Sequence, residues 1–236
     1  MGLIPSFPLV HFDFGAIKEL APELANRNIF KPLFLTDQGV VEHGILKKIT
    51  DVLPSGVTFA VFGEIPENPT IKGIDRALDI YKEHECDGIV ALGGGSVLDS
   101  GKALRVVTVQ GGDVIDYLKD PDRIGTNVAP YITIPTTAGT GAEITFGGGI
   151  HPETNAPAMS IRSPHVKPDL AICDPELTMS LPPHLTAATG MDAVTHCVEG
   201  YLSINANAPA EAIALDGIHR ALSYIDRAVR NGADME

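Results

Sequence analysis

The chain has 236 residues, of which 44% are hydrophobic and 20% charged, and a formal net charge of -13, a composition ordinary for a globular protein and too apolar for disorder. The excess of acids excludes a nucleic-acid partner, since phosphate binding draws on clustered Lys and Arg. Three cysteines, Cys86, Cys173 and Cys197, show no CxxC spacing; this excludes a disulfide framework or zinc ribbon and points to a reducing, cytoplasmic setting.

The first residues, "MGLIPSFPLV", lack a basic region and a long apolar stretch. No apolar run approaches the roughly 18 residues of a membrane span, so neither secretion nor a membrane partner is expected. Gly2 and Ser6 satisfy the loose MGxxxS myristoylation pattern, but Pro5 and the lack of a basic patch favour coincidence. Short apolar or β-branched runs then follow: "PLFLT" at 32–36, "VTFAVF" at 57–62, "GIVAL" at 88–92, "YITI" at 131–134 and "LAIC" at 170–173. They mostly alternate with stretches of helical period, the pattern of parallel strands joined by crossover helices. Val40, Val41, Ile45, Leu46 and Ile49 predict one amphipathic helix, and Ile71, Ile74, Ala77, Leu78 and Tyr81 another. The segment 143–161 has two short extended pieces around a Gly, Pro and Asn-rich centre, which reads as a hairpin or irregular loop walling a cleft. From "LPPHLT" at 181 the strand signal disappears, and helical runs at 184–202 and 208–229 follow. The expected fold is therefore α/β, with an N-terminal parallel-sheet domain over 1–181 and the beginning of an all-helical domain over 182–236.

Within this frame the most informative stretch is "GIVALGGGSVLDSGKAL", where a buried strand runs into Gly93, Gly94, Gly95 and Ser96 and a helix follows at once. Glycines allow close backbone approach, and the amides and partial positive charge of a helix N-terminus attract phosphate, so a pyrophosphate is expected there. The loop "TIPTTAGTGAE" again ends a strand and supplies Thr136, Thr137, Gly139, Thr140 and Gly141; the carboxyl ends of parallel strands are where α/β sheets bind ligands. Asp37 closes "PLFLT". A carboxylate in that place accepts hydrogen bonds from a ribose and repels a 2′-phosphate, although taken alone a helix N-cap or turn aspartate is the commoner role. "GMDAVTHCVEG" at 190–200 sets Asp192 and His196 four positions apart, on one face of a helix. That spacing suits two ligands of one metal ion or a surface acid–imidazole pair, and an open metal site wants at least about three protein ligands.

Together, "LTDQG", "GGGSVLDSGKAL", "IPTTAGTGAEIT" and "DPELTMSLPPHLTAATGMDAVTHCVEGYLS" resemble the iron-containing (group III) alcohol dehydrogenase family, in order and over nearly the whole chain. The resemblance implies that the parallel-sheet domain over 1–181 is dinucleotide-binding and takes a nicotinamide cofactor whose pyrophosphate lies on Gly94, Gly95 and Ser96, with Asp99 near its nicotinamide end and Asp37 favouring NAD over NADP. It further implies cofactor contacts from Thr136, Thr137 and Thr140, packing near the adenine by Leu177, and metal ligation by Asp192 and His196. The implied ion is divalent, Fe(II) by resemblance, with Zn or Co as alternatives that the carboxylate and imidazole donors also suit. The implied reaction passes hydride between a primary alcohol or aldehyde and NAD in a homodimer, the metal polarising the substrate oxygen.

Two departures stand out. Ala158 occupies a position where many members carry a lysine, and family members are longer, their other two metal ligands being histidines beyond the point where this chain ends. The chain therefore reads as part of a longer enzyme, and the apolar stripe Ala214, Ile218, Ala221, Leu222, Ile225 and Val229 on its last helix wants a partner helix. Alternatives are a related glycerol or sugar-phosphate dehydrogenase-type enzyme, a metal-free maleylacetate-reductase-like enzyme, and a non-catalytic nucleotide-binding fragment. Gly147, Gly148 and Gly149 suggest a roomy wall, and Arg162 reads as a structural arginine rather than a carboxylate anchor.

Overall fold

The computed structural model describes residues 6–235, so Gly2 of the myristoylation pattern lies outside the described residues. The chain forms two compact units, Phe7–Pro135 with Ala142–Pro175, and Thr136–Gly141 with Glu176–Glu236.

The larger unit is built on a six-stranded sheet in the order β1-β8-β5-β4-β2-β3. Its strands are β1 (Leu9–Phe12), β2 (Pro32–Leu35), β3 (Ala60–Phe62), β4 (Gly88–Gly93), β5 (Tyr131–Pro135) and β8 (Leu170–Cys173), and every neighbouring pair is parallel. All residues of β2, β4 and β5 are buried, as a parallel sheet covered by helices on both faces requires. Helices α1 (Leu20–Asn26), α2 (Gln38–Glu42), α3 (Ile45–Thr50), α4 (Ile71–Glu83), α5 (Gly95–Gln110) and α6 (Val114–Lys119) complete the unit. The most enclosed helix is α5, with ten buried residues. It lies close against the sheet at Gly101, where an added Cβ would stand 2.5 Å from the Tyr131 hydroxyl oxygen. That hydroxyl donates to the Leu98 carbonyl at 2.6 Å.

Three expectations change on contact with the structure. The amphipathic face over 40–49 is divided between α2 and α3, because Gly44 adopts φ 72°, the left-handed conformation that ends one helix and starts the next. Strand β1, unforeseen, pairs with β8 as an edge strand; three of its four residues are exposed, so it carries little of the alternation that marks a half-buried strand. The run at 57–62 keeps only its last three residues as strand β3. The segment 143–161 does fold back on itself, with β6 (Gly147–Ile150) and β7 (Met159–Arg162) pairing antiparallel.

In the smaller unit, α7 (Pro183–Leu202) and α8 (Ala208–Arg230) pack against each other. Asn207 caps α8 by accepting from the Ala210 amide at 3.1 Å. The stripe on α8 finds its partner in α7, with Gly190 set against Ile225 and Gly217 against Cys197, while Leu222 stays exposed. Among the described residues no helix is long and apolar enough to cross a membrane.

Candidate cofactor and metal sites

In the larger unit, β4 passes through Gly93 into α5, whose N-cap is Gly94. No side chain caps the first turn, which leaves the amides at the helix start to an external acceptor. Close packing fixes the turn: a Cβ on Gly93 would stand 2.7 Å from Cγ2 of Val97 and 3.1 Å from Oδ2 of Asp37. Ser96 donates its hydroxyl to the Glu67 carbonyl, so the oxygen retains acceptor capacity and the side chain is held in place.

Asp37 reaches the same turn from the neighbouring strand. The register pairs Leu35 of β2 with Ala91 of β4, so the two chains leave the sheet level with one another. Oδ1 of Asp37 accepts from the Val40 amide at 2.9 Å and caps α2. The structure thus shows the N-cap role in full, while Oδ2 faces the glycine turn. One carboxylate serves the helix and still has an oxygen to offer a ligand.

One turn further along α5, Asp99 accepts from the ammonium of Lys102 at 3.0 Å on Oδ1 and from the Gly149 amide at 2.9 Å on Oδ2. Lys102 is fully buried and also donates to Oγ1 of Thr145 at 2.8 Å and the Gly147 carbonyl at 2.7 Å. Burial holds its pKa below the ordinary value, opposed by the adjacent Asp99. Sequence reasoning passed over Lys102, although its i to i+3 spacing from Asp99 within "GGGSVLDSGKAL" was a usable signal. The reading of Gly147–Gly149 as a roomy wall is corrected at Gly148: a Cβ there would lie 2.6 Å from Cγ of Asp99. The glycine admits the acid rather than leaving space. Arg162 lies over the Phe146 ring at 5.3 Å, the structural role expected of it, and Ala158 is exposed.

In the smaller unit, Thr136 is buried, Thr137 and Thr140 are half-buried, and Leu177 is buried in a 3-10 turn, Pro175–Leu177. The loop meets α7 closely, since a Cβ on Gly139 would fall 2.5 Å from the Thr189 carbonyl oxygen. Asp192 and His196 share one face of α7, with Nδ1 of His196 3.6 Å from Oδ2 of Asp192 and both side chains about half exposed. A carboxylate and an imidazole, one turn apart and open on one side, fit as two donors to a divalent ion. Among the described residues no cluster of three or more His, Cys, Asp or Glu side chains is placed to complete a site. Of the other histidines, His11 bonds Glu23 at 2.8 Å, His43 the Gly39 carbonyl at 2.8 Å and His151 the Ala156 carbonyl at 2.6 Å.

A parallel sheet with a glycine turn opening a buried helix and an acid at the neighbouring strand end is the arrangement in which open α/β sheets take nucleotides. Residues 8–175 match the iron-containing alcohol dehydrogenase family, and residues 186–236 match the C-terminal region of the Fe-containing alcohol dehydrogenase family. The chain belongs to the iron-containing alcohol dehydrogenases. It is 42% identical over 230 residues to 4-hydroxybutyrate dehydrogenase of Cupriavidus necator, covering 96% of this chain and 60% of that one. It is 38% identical over 234 residues to alcohol dehydrogenase 4 of Schizosaccharomyces pombe, covering 99% of this chain and 55% of that protein. The crystal structure of sulfoacetaldehyde reductase from Bifidobacterium kashiwanohense in complex with NAD+ superposes with a TM-score of 0.92 at 28% identity, over 99% of this chain and 62% of that one. The chain thus spans about 60% of the length of the proteins it matches.

Proposed function

We propose that this chain supplies the dinucleotide-binding domain and the beginning of the helical metal-binding domain, 182–236, of an NAD-dependent, metal-assisted alcohol dehydrogenase that interconverts a primary alcohol and its aldehyde. The observation that carries the reading is the Gly93–Ser96 turn opening α5, with Oδ2 of Asp37 beside it. Uncapped amides at the helix start suit a pyrophosphate, and the Asp37 carboxylate suits the ribose of NAD and opposes a 2′-phosphate. The NAD+ in the sulfoacetaldehyde reductase structure supports that cofactor. Thr136, Thr137, Thr140 and Leu177 are assigned to the cofactor from the family motif. Asp99 accepts hydrogen bonds near the nicotinamide end.

Asp192 would contribute charge and His196 a neutral nitrogen to a divalent ion, Fe(II) by family, together with donors that the described residues do not bring to the pair. When bound, the ion supplies Lewis acidity to the substrate oxygen and the nicotinamide exchanges the hydride. The three free cysteines support a reducing, cytoplasmic setting. Exposed Leu9, Val10 and Phe12 on the edge strand β1 support association into a homodimer.

NADH fluorescence titration tests the cofactor reading on this chain and its Gly95→Val variant; metal content and primary-alcohol oxidation test the metal reading on this chain and on one extended past Glu236, each with and without His196→Ala. Gly95→Val should abolish NADH binding with helical content retained. This chain should hold metal weakly and turn over little, and in the extended chain His196→Ala should lower metal content and turnover while leaving NADH affinity unchanged. Undiminished NADH binding by folded Gly95→Val rejects the cofactor assignment. Unchanged metal content in the extended His196→Ala variant rejects the ligand assignment. NADH binding with no turnover in the extended chain favours the non-catalytic alternative.

A further inference from the structure

Helix α8 ends at Arg230, and the chain leaves it through Asn231, Gly232 and Ala233. Asn231 is the C-cap, with φ -144° and ψ 92°, and its backbone amide closes the last turn on the Arg227 carbonyl at 2.9 Å. All three residues after the helix are exposed, and neither the cofactor nor the metal reading uses them. Oδ1 of Asn231 accepts from the Ala233 amide at 3.2 Å, which folds the side chain back along the Gly232 peptide in the manner of an Asx-turn. A donor at that oxygen also stabilises the negative charge that a carbonyl develops under attack.

The nucleophile for that attack is next in the chain. Among the described residues the Gly232 amide donates to no acceptor, so its nitrogen is held by neither helix nor turn, and glycine has no side chain to crowd the approach. The other asparagines lack this combination, since Asn231 alone is followed by glycine. Arg27, Ile29, Ala156 and Ala206, which follow Asn26, Asn28, Asn155 and Asn205, all donate their amides to backbone carbonyls, and Pro69 after Asn68 has no N–H. The turn is tied to α8 by Arg227, which donates to both carboxylate oxygens of Asp234 at 3.0 Å. Both side chains are partly exposed, and an ion pair open to water is a weak restraint.

We infer that Asn231 is a site of spontaneous deamidation. The Gly232 nitrogen forms a bond to Cγ of Asn231, its proton passes through water to the side-chain nitrogen, and that nitrogen leaves as ammonia, giving a cyclic succinimide. Water then adds to either ring carbonyl and opens the ring, leaving aspartate or isoaspartate at position 231. Water is the only co-reactant, and nothing is oxidised or reduced. Attack requires ψ of Asn231 to turn from 92°, a rotation available to an exposed turn when the Arg227–Asp234 pair opens. The product sets a carboxylate at the C-terminal end of α8, where the helix dipole disfavours negative charge. Isoaspartate also lengthens the backbone, which disturbs the close approach of Gly232 to the Met179 carbonyl, only 2.8 Å from where a Cβ on the glycine would stand.

The test is peptide mass spectrometry of the unmodified protein and Asn231→Gln after prolonged incubation in mildly alkaline heavy-oxygen water, with circular dichroism confirming that each stays folded. The peptide carrying Asn231 should gain about one dalton beyond the label as an amide becomes a carboxylate. It should take up heavy oxygen from the solvent and separate into aspartate and isoaspartate forms. Asn231→Gln should lose the product, and the peptides carrying Asn155 and Asn205 should stay unmodified over the same period. No gain at Asn231 in the folded protein, or a gain seen only when the chain is unfolded in urea, overturns the inference. So does an equal gain at Asn155 and Asn205, which would show that the free glycine amide confers nothing. A gain without isoaspartate would show direct hydrolysis of the side chain and overturn the cyclic route.

Discussion

At the scale of single residues, Asp37 fills the N-cap role and keeps a second oxygen for the ligand role proposed for it. Oδ1 caps α2 and Oδ2 faces the Gly93 turn, so the helix orients the carboxylate proposed to select the cofactor. Repulsion between that carboxylate and a 2′-phosphate should be worth about 1 to 3 kcal/mol at partial burial. Asp37→Asn retains the capping acceptor and removes the charge. It should narrow the preference for NADH over NADPH by about tenfold or more with little change in melting temperature. Equal affinities for the two cofactors in the unmodified protein would dispose of the idea.

At the scale of elements, α7 and α8 approach closely because two glycines face larger side chains. A Cβ on Gly190 would stand 2.7 Å from Cδ1 of Ile225, and one on Gly217 would stand 2.7 Å from Sγ of Cys197. Neither distance is tolerated by a methyl group unless the neighbour moves, and overpacking of this kind costs about 1 to 3 kcal/mol. Gly217→Ala should therefore lower the midpoint of urea unfolding, and adding Cys197→Ala should recover part of the loss, because the sulfur is the atom in the way. Two independent destabilisations that simply add would show that the helices do not meet there. In α5 the corresponding device is Gly101, which lets the helix settle on Tyr131.

The pH response of stability belongs to the whole molecule. Glu143 has its carboxyl pKa raised above the ordinary 4.5 by burial, with a hydrogen bond from its own backbone amide and the charge of Lys102 pulling the other way. The folded chain therefore holds this proton to a higher pH than the unfolded chain does. The resulting contribution to stability is complete below 4.5 and is lost as pH rises through the folded value. Glu143→Gln abolishes the ionisation, so the melting temperature of the variant minus that of the unmodified protein should be constant in acid and rise toward neutral pH. A difference that stays flat from about pH 4 to about pH 8 would show that Glu143 ionises alike in both states.

The α/β class, the glycine turn at Gly94–Ser96, the hairpin at 143–161 and the two long helices are legible in the sequence, because each depends on local signals: apolar runs, helical period, and glycine where a strand meets a helix. Family membership is legible too, since it rests on ordered motifs. The break at Gly44 is invisible to a periodicity that α2 and α3 both continue; it depends on the left-handed backbone angle of that glycine. Strand β1 is decided by its pairing with β8, about 160 residues away. The Lys102–Asp99–Gly149 network likewise joins α5 to a hairpin nearly 50 residues further on. Local propensity marks most of the helices, strands and turns; only tertiary packing removes water from Lys102 and sets Asp99 and a hairpin carbonyl against it.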